Sequence, residues 1–356
     1  MGPRQLIATP LFSGRSKLRL VTELFMRKRV RPADVSLATF VRDHFGQELV
    51  DYAINPLVAG IYAGDPATLS TKVAFPKLWE IEQTHGSLIR GQIAAMRQKR
   101  ARGEKAGSRI VSFIRGLETL PATLAAQLPA GALRTRTGVV GVSPGPPWKV
   151  VSHRDGLATT EAFDAVVLAL PANALARLAI GRSGETPLAG LARIDYPPVA
   201  TIFLGFRRAQ VAHPLDGFGA LVPALERRSI LGVLFSSTLY PDRAPADHVA
   251  LTVYAGGTRQ PEVAGLAPAA LRDRVLADLR DLLGVSGDPV FSHTTLWPHA
   301  IPQYNLGYER FVDTMARVEA EHAGLFIGGH VRDGISVVNC LAAGQRLAEA
   351  AGGPAA

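Results

Sequence analysis

Gly324-Leu325-Phe326-Ile327-Gly328-Gly329-His330, followed by Gly334-Ile335-Ser336-Val337, then Cys340 and Gly344, is the stretch on which the fold turns. The run Gly324–Gly329 reads as a short buried strand, and its paired glycines keep the backbone thin enough for something to approach it. A second glycine turn and a closing helix from about Cys340 to Ala350 follow. A helix amino end presents unpaired N–H groups, so the whole strand–turn–helix is a place to hold a phosphate or a flat polar ring.

Working outward, the texture changes twice. Residues 1 to about 115 have apolar positions three or four apart, as in Leu37–Phe45 and Gln47–Ala53, and read as helices. Leu117–Leu128 reads as a helix stopped by Pro129-Ala130-Gly131. Val139–Val142, Trp148–Ser152 and Ala165–Leu170 then read as short strands, with Pro144-Gly145-Pro146-Pro147 and Asp155-Gly156 as turns. Ala200–Gly205, Ile230–Phe235 and Val249–Tyr254 add three more strands. Pro268–Leu283 is the clearest helix: proline near its start, Leu271, Val275, Leu279 and Leu282 on one face, and Gly284 just beyond its end. This is α+β with segregated parts, not a regular βαβ array.

The 356 residues are 47% apolar and 19% charged, a globular composition with room for two or three structural units. Cys340 is the only cysteine, which excludes an internal disulfide and a cysteine-based zinc site. Met1 is not followed by a charged and then an apolar region, so no signal peptide is expected. The apolar run around Ala165–Ala176 is too short to span a bilayer and is broken by Pro171 and Asn173.

The formal charge of +9 is concentrated early. Arg15, Lys17, Arg19, Arg27, Lys28, Arg29 and Arg31 are opposed only by Glu23. Arg90, Arg97, Lys99, Arg100, Arg102, Lys105 and Arg109 are opposed only by Glu104. A charge run is ordinarily a solvated helix face. The functional reading is a peripheral contact with an anionic membrane, because Leu18, Val21, Leu24 and Phe25 sit among the cations at helical spacing. Nucleic acid is not expected, since few aromatic residues lie there to stack on bases.

Several motifs fail on context. No Gly-x-Gly-x-x-Gly stands between a strand and a helix, and there is no phosphate loop or His-Glu-x-x-His. Gly141-Val142-Ser143-Pro144-Gly145 matches a hydrolase nucleophile elbow. That elbow must open a helix, which Pro144, Pro146 and Pro147 forbid. The nine histidines have no metal-ligand spacing, so His293 and His299 beside Trp297 read as structural and no metal is expected.

The tail is similar to the carboxy-terminal flavin-contacting segment of the protoporphyrinogen oxidase and amine-oxidase group of flavoproteins. Four further segments resemble the oxygen-dependent protoporphyrinogen oxidases in particular. They are Asn55–Pro66 with Leu69-Ser70; Phe75-Pro76 with Glu82–Ser87; Gly217–Pro223 with Leu231–Leu234; and Trp297 with Ile301–Tyr304 and Gly307. The likeness runs in order from about Arg4 to Ala350. It departs at His330, where the family often has asparagine, and at Tyr308, where histidine is common.

The resemblance implies an α+β fold derived from α/β: a truncated FAD-binding domain (116–193 and 305–356), a mixed-sheet substrate domain (194–304) and a helical membrane-associated domain (1–115). It implies oxidation of protoporphyrinogen IX to protoporphyrin IX, with FAD as cofactor and O2 as acceptor. FAD contacts carry over to Val139, Trp297, Gly329, Ile335, Ser336 and Val337. The porphyrinogen pocket carries over to Gly60, Phe218, Gly219, Leu221, Leu234, Tyr254 and Ile301. No residue stands out as general acid or base. The family's glycine fingerprint matches nothing here, so weak FAD retention by this chain is expected. The implied setting is cytoplasmic and peripheral to a membrane, with a homodimer allowed for. Competing readings are a non-catalytic tetrapyrrole-binding remnant, a coproporphyrinogen III oxidase, or another flavoenzyme of the group.

Overall fold

The structure is a computed structural model that describes residues 9–28, 31–103, 111–181 and 184–352. Arg29, Glu104, Lys105 and Arg109 of the charge clusters, and the start of the family likeness at Arg4, lie outside these. In chain order come helices α1 (Gly14–Glu23), α2 (Leu37–Phe45), α3 (Asn55–Tyr62), α4 (Pro76–His85), α5 (Leu88–Ala101) and α6 (Thr119–Ala126). Strands β1 (Gly138–Ser143), β2 (Trp148–Arg154), β3 (Leu157–Phe163), β4 (Val166–Leu168) and β5 (Ala179–Ile180) follow. Next are β6 (Val199–Arg207), β7 (Gly219–Leu221), β8 (Ile230–Leu234), β9 (His248–Gly256), α7 (Pro268–Leu283) and β10 (Phe291–Trp297). Helix α8 (Glu309–Glu321), strand β11 (Leu325–Ile327) and helix α9 (Val337–Ala350) close the chain.

Contacts divide the chain into two compact units, Met1–Ala106 with Tyr196–Tyr308, and Gly107–Asp195 with Glu309–Ala356. The first unit therefore holds both the helical third and the strand-rich region.

In the first unit five strands run in the order β10-β6-β9-β8-β7, and every pair is antiparallel. The mixed sheet expected from sequence is corrected on this point. A parallel pair needs a crossover of a dozen or more residues between its strands. The one long helix here, α7, connects β9 to β10, which pairs with β6 in the antiparallel sense. Period-2 alternation sends Ala200, Ile202, Leu204 and Phe206 of β6 and Leu251, Val253 and Ala255 of β9 to one face. There they meet Leu271, Val275, Leu276, Leu279 and Leu283 of α7 in the main core. Leu282, placed on that face by spacing, is only partly buried against it.

The helical third is tied by a buried ionic knot. Glu23, at the end of α1, accepts from Ser87 Oγ at 2.8 Å and from the amides of Leu88 and Ile89 at 2.6 and 3.2 Å. It thereby caps α5, where the helix dipole favours a carboxylate. His44 of α2 lies between Glu23 (Nδ1, 2.9 Å) and Glu82 of α4 (Nε2, 3.0 Å). Arg31 completes the knot through Glu82 at 2.8 Å and Asp43 at 3.0 Å. Glu23 and Arg31 are thus not surface charges, which corrects the first cluster.

The second unit carries a four-stranded sheet, β3-β2-β1-β5, and a separate parallel pair, β11-β4. Trp148 is buried in it and donates from Nε1 to the Ala323 carbonyl at 3.0 Å. The Ser143–Lys149 hairpin register confirms that the elbow-like Gly141–Gly145 leads into a strand and not a helix.

Candidate functional site

The face of the five-stranded sheet opposite α7 is where the pocket residues meet. Directly paired residues project the same way, so the register defines a row across the sheet: Leu221, Gly232, Tyr254, Thr201 and Thr295. Trp297 pairs with Val199, two positions further along β10 and β6. Gly219 pairs with Leu234, two positions away on the other side. A bulge between Ile230 and Gly232 shifts the phase of β8. Ile230 and Val233 can then both enter the core, while Leu231 turns to the pocket face.

Helix α3 lies across this face. Its Ala59 and its C-cap Ala63 pack with Val199 and Leu231 in a small buried cluster, with Tyr254 and Ala300 against it. At Gly60 a β-carbon would stand 2.6 Å from Leu221 Cδ2, so any side chain there would displace Leu221. Gln303, fully buried, donates from Nε2 to the carbonyls of Tyr62 at 2.7 Å and Ile301 at 3.0 Å, pinning Ile301 beside the end of α3. The space left between helix and sheet is a cavity of 220 Å³ lined by Ala59, Gly60, Ala63, Val199, Thr201, Leu231, Tyr254, Trp297, Ala300 and Ile301. Phe218, Leu221 and Trp297 are each about half exposed (50, 45 and 53%) and extend its apolar surface outward. No ionisable group except Tyr254 lines it, and burial pushes that phenol up, so it stays protonated at neutral pH.

In the second unit the tail forms as expected but begins its helix earlier, at Val337, with Ser336 as N-cap accepting from the Asn339 amide at 3.1 Å. The amides of Val337 and Val338 are the first two of this helix and have no intrahelical partner. The two glycines of the pair differ. A β-carbon on Gly328 would meet Leu347 and Asp333 at 2.7 and 2.8 Å, so that glycine serves internal packing. Gly329 has φ +97° and faces space, with nothing nearer than Ala169 Cα at 4.0 Å. Ala169 and Val139 both line a larger cavity of 890 Å³, walled by Val140, Phe163 and the segment Val166–Leu170. An open glycine and two helix-terminal amides without an intrahelical partner suit a flat ring with oxygen acceptors, although the 890 Å³ cavity is lined by neither Gly329 nor the first turn of α9.

Of the residues singled out in the sequence, Gly60, Tyr254, Trp297 and Ile301 line one cavity. Leu221 packs on Gly60, and Phe218, Gly219 and Leu234 continue the same sheet end. Trp297, expected among the flavin contacts, lies with this group. Val139, Gly329, Ile335, Ser336 and Val337 all belong to the second unit. Ile335 is half-buried, while Ser336 and Val337 are exposed. His330 is half-buried, and burial pulls its imidazole down. Tyr308 is buried with its ring centroid 4.7 Å from that of Tyr304. Sequence reading missed Ala59, Ala63, Val199, Thr201, Leu231 and Ala300. For Val199 and Thr201 the signal was there in the alternation of β6.

The description "flavin containing amine oxidoreductase" matches this chain over residues 2–351. The chain belongs to that family. This amine oxidoreductase is 33% identical over 374 residues to protoporphyrinogen oxidase 2 of Arabidopsis thaliana, covering 98% of the chain and 74% of the relative. It is 27% identical over 347 residues to the coproporphyrinogen III oxidase of Bacillus subtilis, covering 95% and 72%. A solved structure from Exiguobacterium sp. 255-15, provisionally assigned as a protoporphyrinogen oxidase, superposes with TM-score 0.77 at 24% identity over 96% of this chain and 72% of its own. That likeness speaks for the fold. As a member of the family the chain is an oxidoreductase with FAD as its cofactor.

Proposed function

We propose that this protein oxidises protoporphyrinogen IX to protoporphyrin IX with O2 as acceptor. The observation that carries the reading is the apolar cavity in which Gly60, Tyr254, Trp297 and Ile301 converge from three separate parts of the sequence. The reaction removes six hydrogens from the macrocycle and reduces three O2 to three H2O2. The flavin, when bound, supplies the redox chemistry. Gly329 and the amides of Val337 and Val338 would hold it.

The chain's own part is binding, orientation and exclusion of water. At 220 Å³ the cavity is smaller than the ~300–1,000 Å³ of ordinary ligand sites, so it takes an edge of a flat ring. The remainder would lie along Phe218, Leu221 and Trp297. With no lysine, arginine or histidine in its lining, the cavity suits a vinyl-bearing edge and would leave a propionate unpaired. That favours protoporphyrinogen over coproporphyrinogen, which carries propionates on all four rings. The Bacillus subtilis relative is the ground for keeping the second substrate in view.

The test is oxidation of each porphyrinogen, prepared anaerobically, by the FAD-loaded protein. Porphyrin fluorescence should rise with three O2 consumed per porphyrin, faster for the protoporphyrinogen. Equal rates or a preference for coproporphyrinogen would reverse the substrate assignment, and no turnover of either would sink the reading.

We also infer a peripheral membrane contact through α1. Leu18 and Val21 of α1 and Phe25 in the turn just after it are 65, 55 and 77% exposed, with Arg15, Arg27 and Lys28 exposed nearby. Cations beside exposed apolar residues suit an anionic bilayer surface. No described helix is long and apolar enough to cross a membrane. Replacing Leu18 and Phe25 by serine should weaken co-sedimentation with anionic vesicles at least about fivefold, since burying each such side chain contributes ~1.5–3 kcal/mol. Unchanged sedimentation would count against this face.

A further inference from the structure

The small cavity lies between α3 and the sheet, where the β7–β8 hairpin is joined to β9 by the β8–β9 ladder but no strand ladder joins α3 to either. One side chain reaches all three. Arg259, five residues beyond Tyr254, donates from Nη1 to the Val222 carbonyl at 2.9 Å and from Nη2 to Asn55 Oδ1 at 3.0 Å. The same Asn55 oxygen accepts from the Ala224 amide at 2.9 Å.

The placement matters because of what stands next to each partner. Asn55 is the first residue of α3, one and a half turns before Gly60. Val222 directly follows Leu221, and the β7–β8 pairing ends there, with the Val222 amide donating to the Leu231 carbonyl at 3.0 Å. Beyond this point the chain turns away into a short 3₁₀ segment, Ala224–Glu226. The Val222 carbonyl and Ala224 amide are therefore at the frayed end of a three-residue strand, and the Asn55–Arg259 pair takes both. Leu221 is 45% exposed but lies over both glycines: its Cδ2 stands 2.6 Å from where a β-carbon on Gly60 would be and 3.1 Å from one on Gly232. A small rotation of the hairpin would lift Leu221 off Gly60 and widen the cavity. The guanidinium is half-buried. Its planar fork makes two bonds at fixed geometry, which a lysine could not reproduce.

We propose that Asn55 and Arg259 are positioning residues that seat Leu221 against Gly60 and so set the width, and with it the selectivity, of the tetrapyrrole cavity. The proposal rests on the porphyrinogen reading above. In it, Arg259 touches no substrate; it acts through Leu221.

The experiment is an equilibrium titration of the purified full chain with two stable probes, protoporphyrin IX and coproporphyrin III, followed by porphyrin fluorescence. Arg259→Gln and Asn55→Leu should each weaken protoporphyrin binding about tenfold, the scale of a lost hydrogen bond to a charged group, and bring the two affinities closer together. Asn55→Asp keeps the acceptor oxygen, and should stay within about twofold of the wild type, because both hydrogen bonds survive. Leu221→Ala should lower selectivity by itself, and adding Arg259→Gln to it should change little further, as expected for two residues acting as one unit. A merely structural arginine would give instead an effect that adds in full to that of Leu221→Ala and an unchanged affinity ratio. Either result overturns the proposal. Wild-type protein that binds neither porphyrin would remove the porphyrinogen reading and this inference together, whereas normal wild-type binding with wild-type-like variants would remove the inference alone.

Discussion

The first unit contains two regions that treat polar groups in opposite ways. In the helical third, five charged side chains converge, and three of them, Glu23, His44 and Glu82, are almost wholly buried. On the pocket face of the sheet, ten lining residues include no formal charge at all. Each charged group of the knot has a partner, although Arg31 Nη2 is buried without a hydrogen bond, and four helices meet on it. The pocket face is only partly covered, by α3, and around it the apolar side chains Phe218, Leu221 and Trp297 stay about half exposed. Buried charge that is paired specifies packing, while half-exposed apolar surface suits a ligand.

The sharpest way to break this contrast is at His44. Both its ring nitrogens lie within hydrogen-bond distance of carboxylates, so both must donate and the ring is an imidazolium. His44→Ala would leave Glu23 and Glu82 buried without their shared cation. We expect a loss of about 3–5 kcal/mol in denaturant unfolding, the usual result of removing one partner of a buried ion pair. A loss below about 1 kcal/mol, the range of exposed pairs, would show that the knot is not holding the helices.

A smaller effect follows from pH. For Glu23 burial alone would raise the carboxyl, but the hydrogen bonds from His44 and Ser87 and from the Leu88 and Ile89 amides hold it below its ordinary value. For Glu82 burial is likewise outweighed, by His44 and Arg31. For His44 burial pulls downward, and the two carboxylates raise it above its ordinary value. The carboxylates' contribution is therefore present above their unfolded values and lost as pH falls through their lowered folded ones. That of His44 is complete below its unfolded value and lost as pH rises through its raised folded one. The knot should stabilise most between roughly pH 4.5 and 6.5. Unfolding free energies measured across pH should decline on both sides of that window, and the alkaline decline should vanish in His44→Ala. A profile that keeps rising above pH 7 in the wild type would contradict the ionic assignment.

How far the sequence foretold these regions depends on the range of the forces involved. Helix α7 was legible to the residue, because proline at its start, glycine at its end and an i, i+4 apolar face are all local signals. Strand β10 was not. It pairs on one side only and is largely exposed, so it has no buried alternation to read. Strand β3, Leu157–Phe163, was missed for the same reason. The pocket members came from the family likeness, and the register then placed Leu221 and Tyr254 in one row. The ionic knot was invisible: Glu23 and Glu82 are 59 positions apart in sequence, and nothing local distinguishes a buried glutamate from a solvated one. Gly328 and Gly329 looked alike as a pair, and only their neighbours in space separate packing from an open site.

The most direct test of the central claim is a titration of the chain and of Gly60→Leu with protoporphyrin IX, each sample checked by thermal melting. A leucine at this position would fill the space Leu221 and the cavity share. The account predicts one saturable site in the wild type and at least about tenfold weaker binding in the variant, the effect of displacing a ring edge worth ~1.5 kcal/mol or more of buried apolar surface. Equal binding by the two proteins, both folded, would place any porphyrin somewhere other than this cavity and contradict the account.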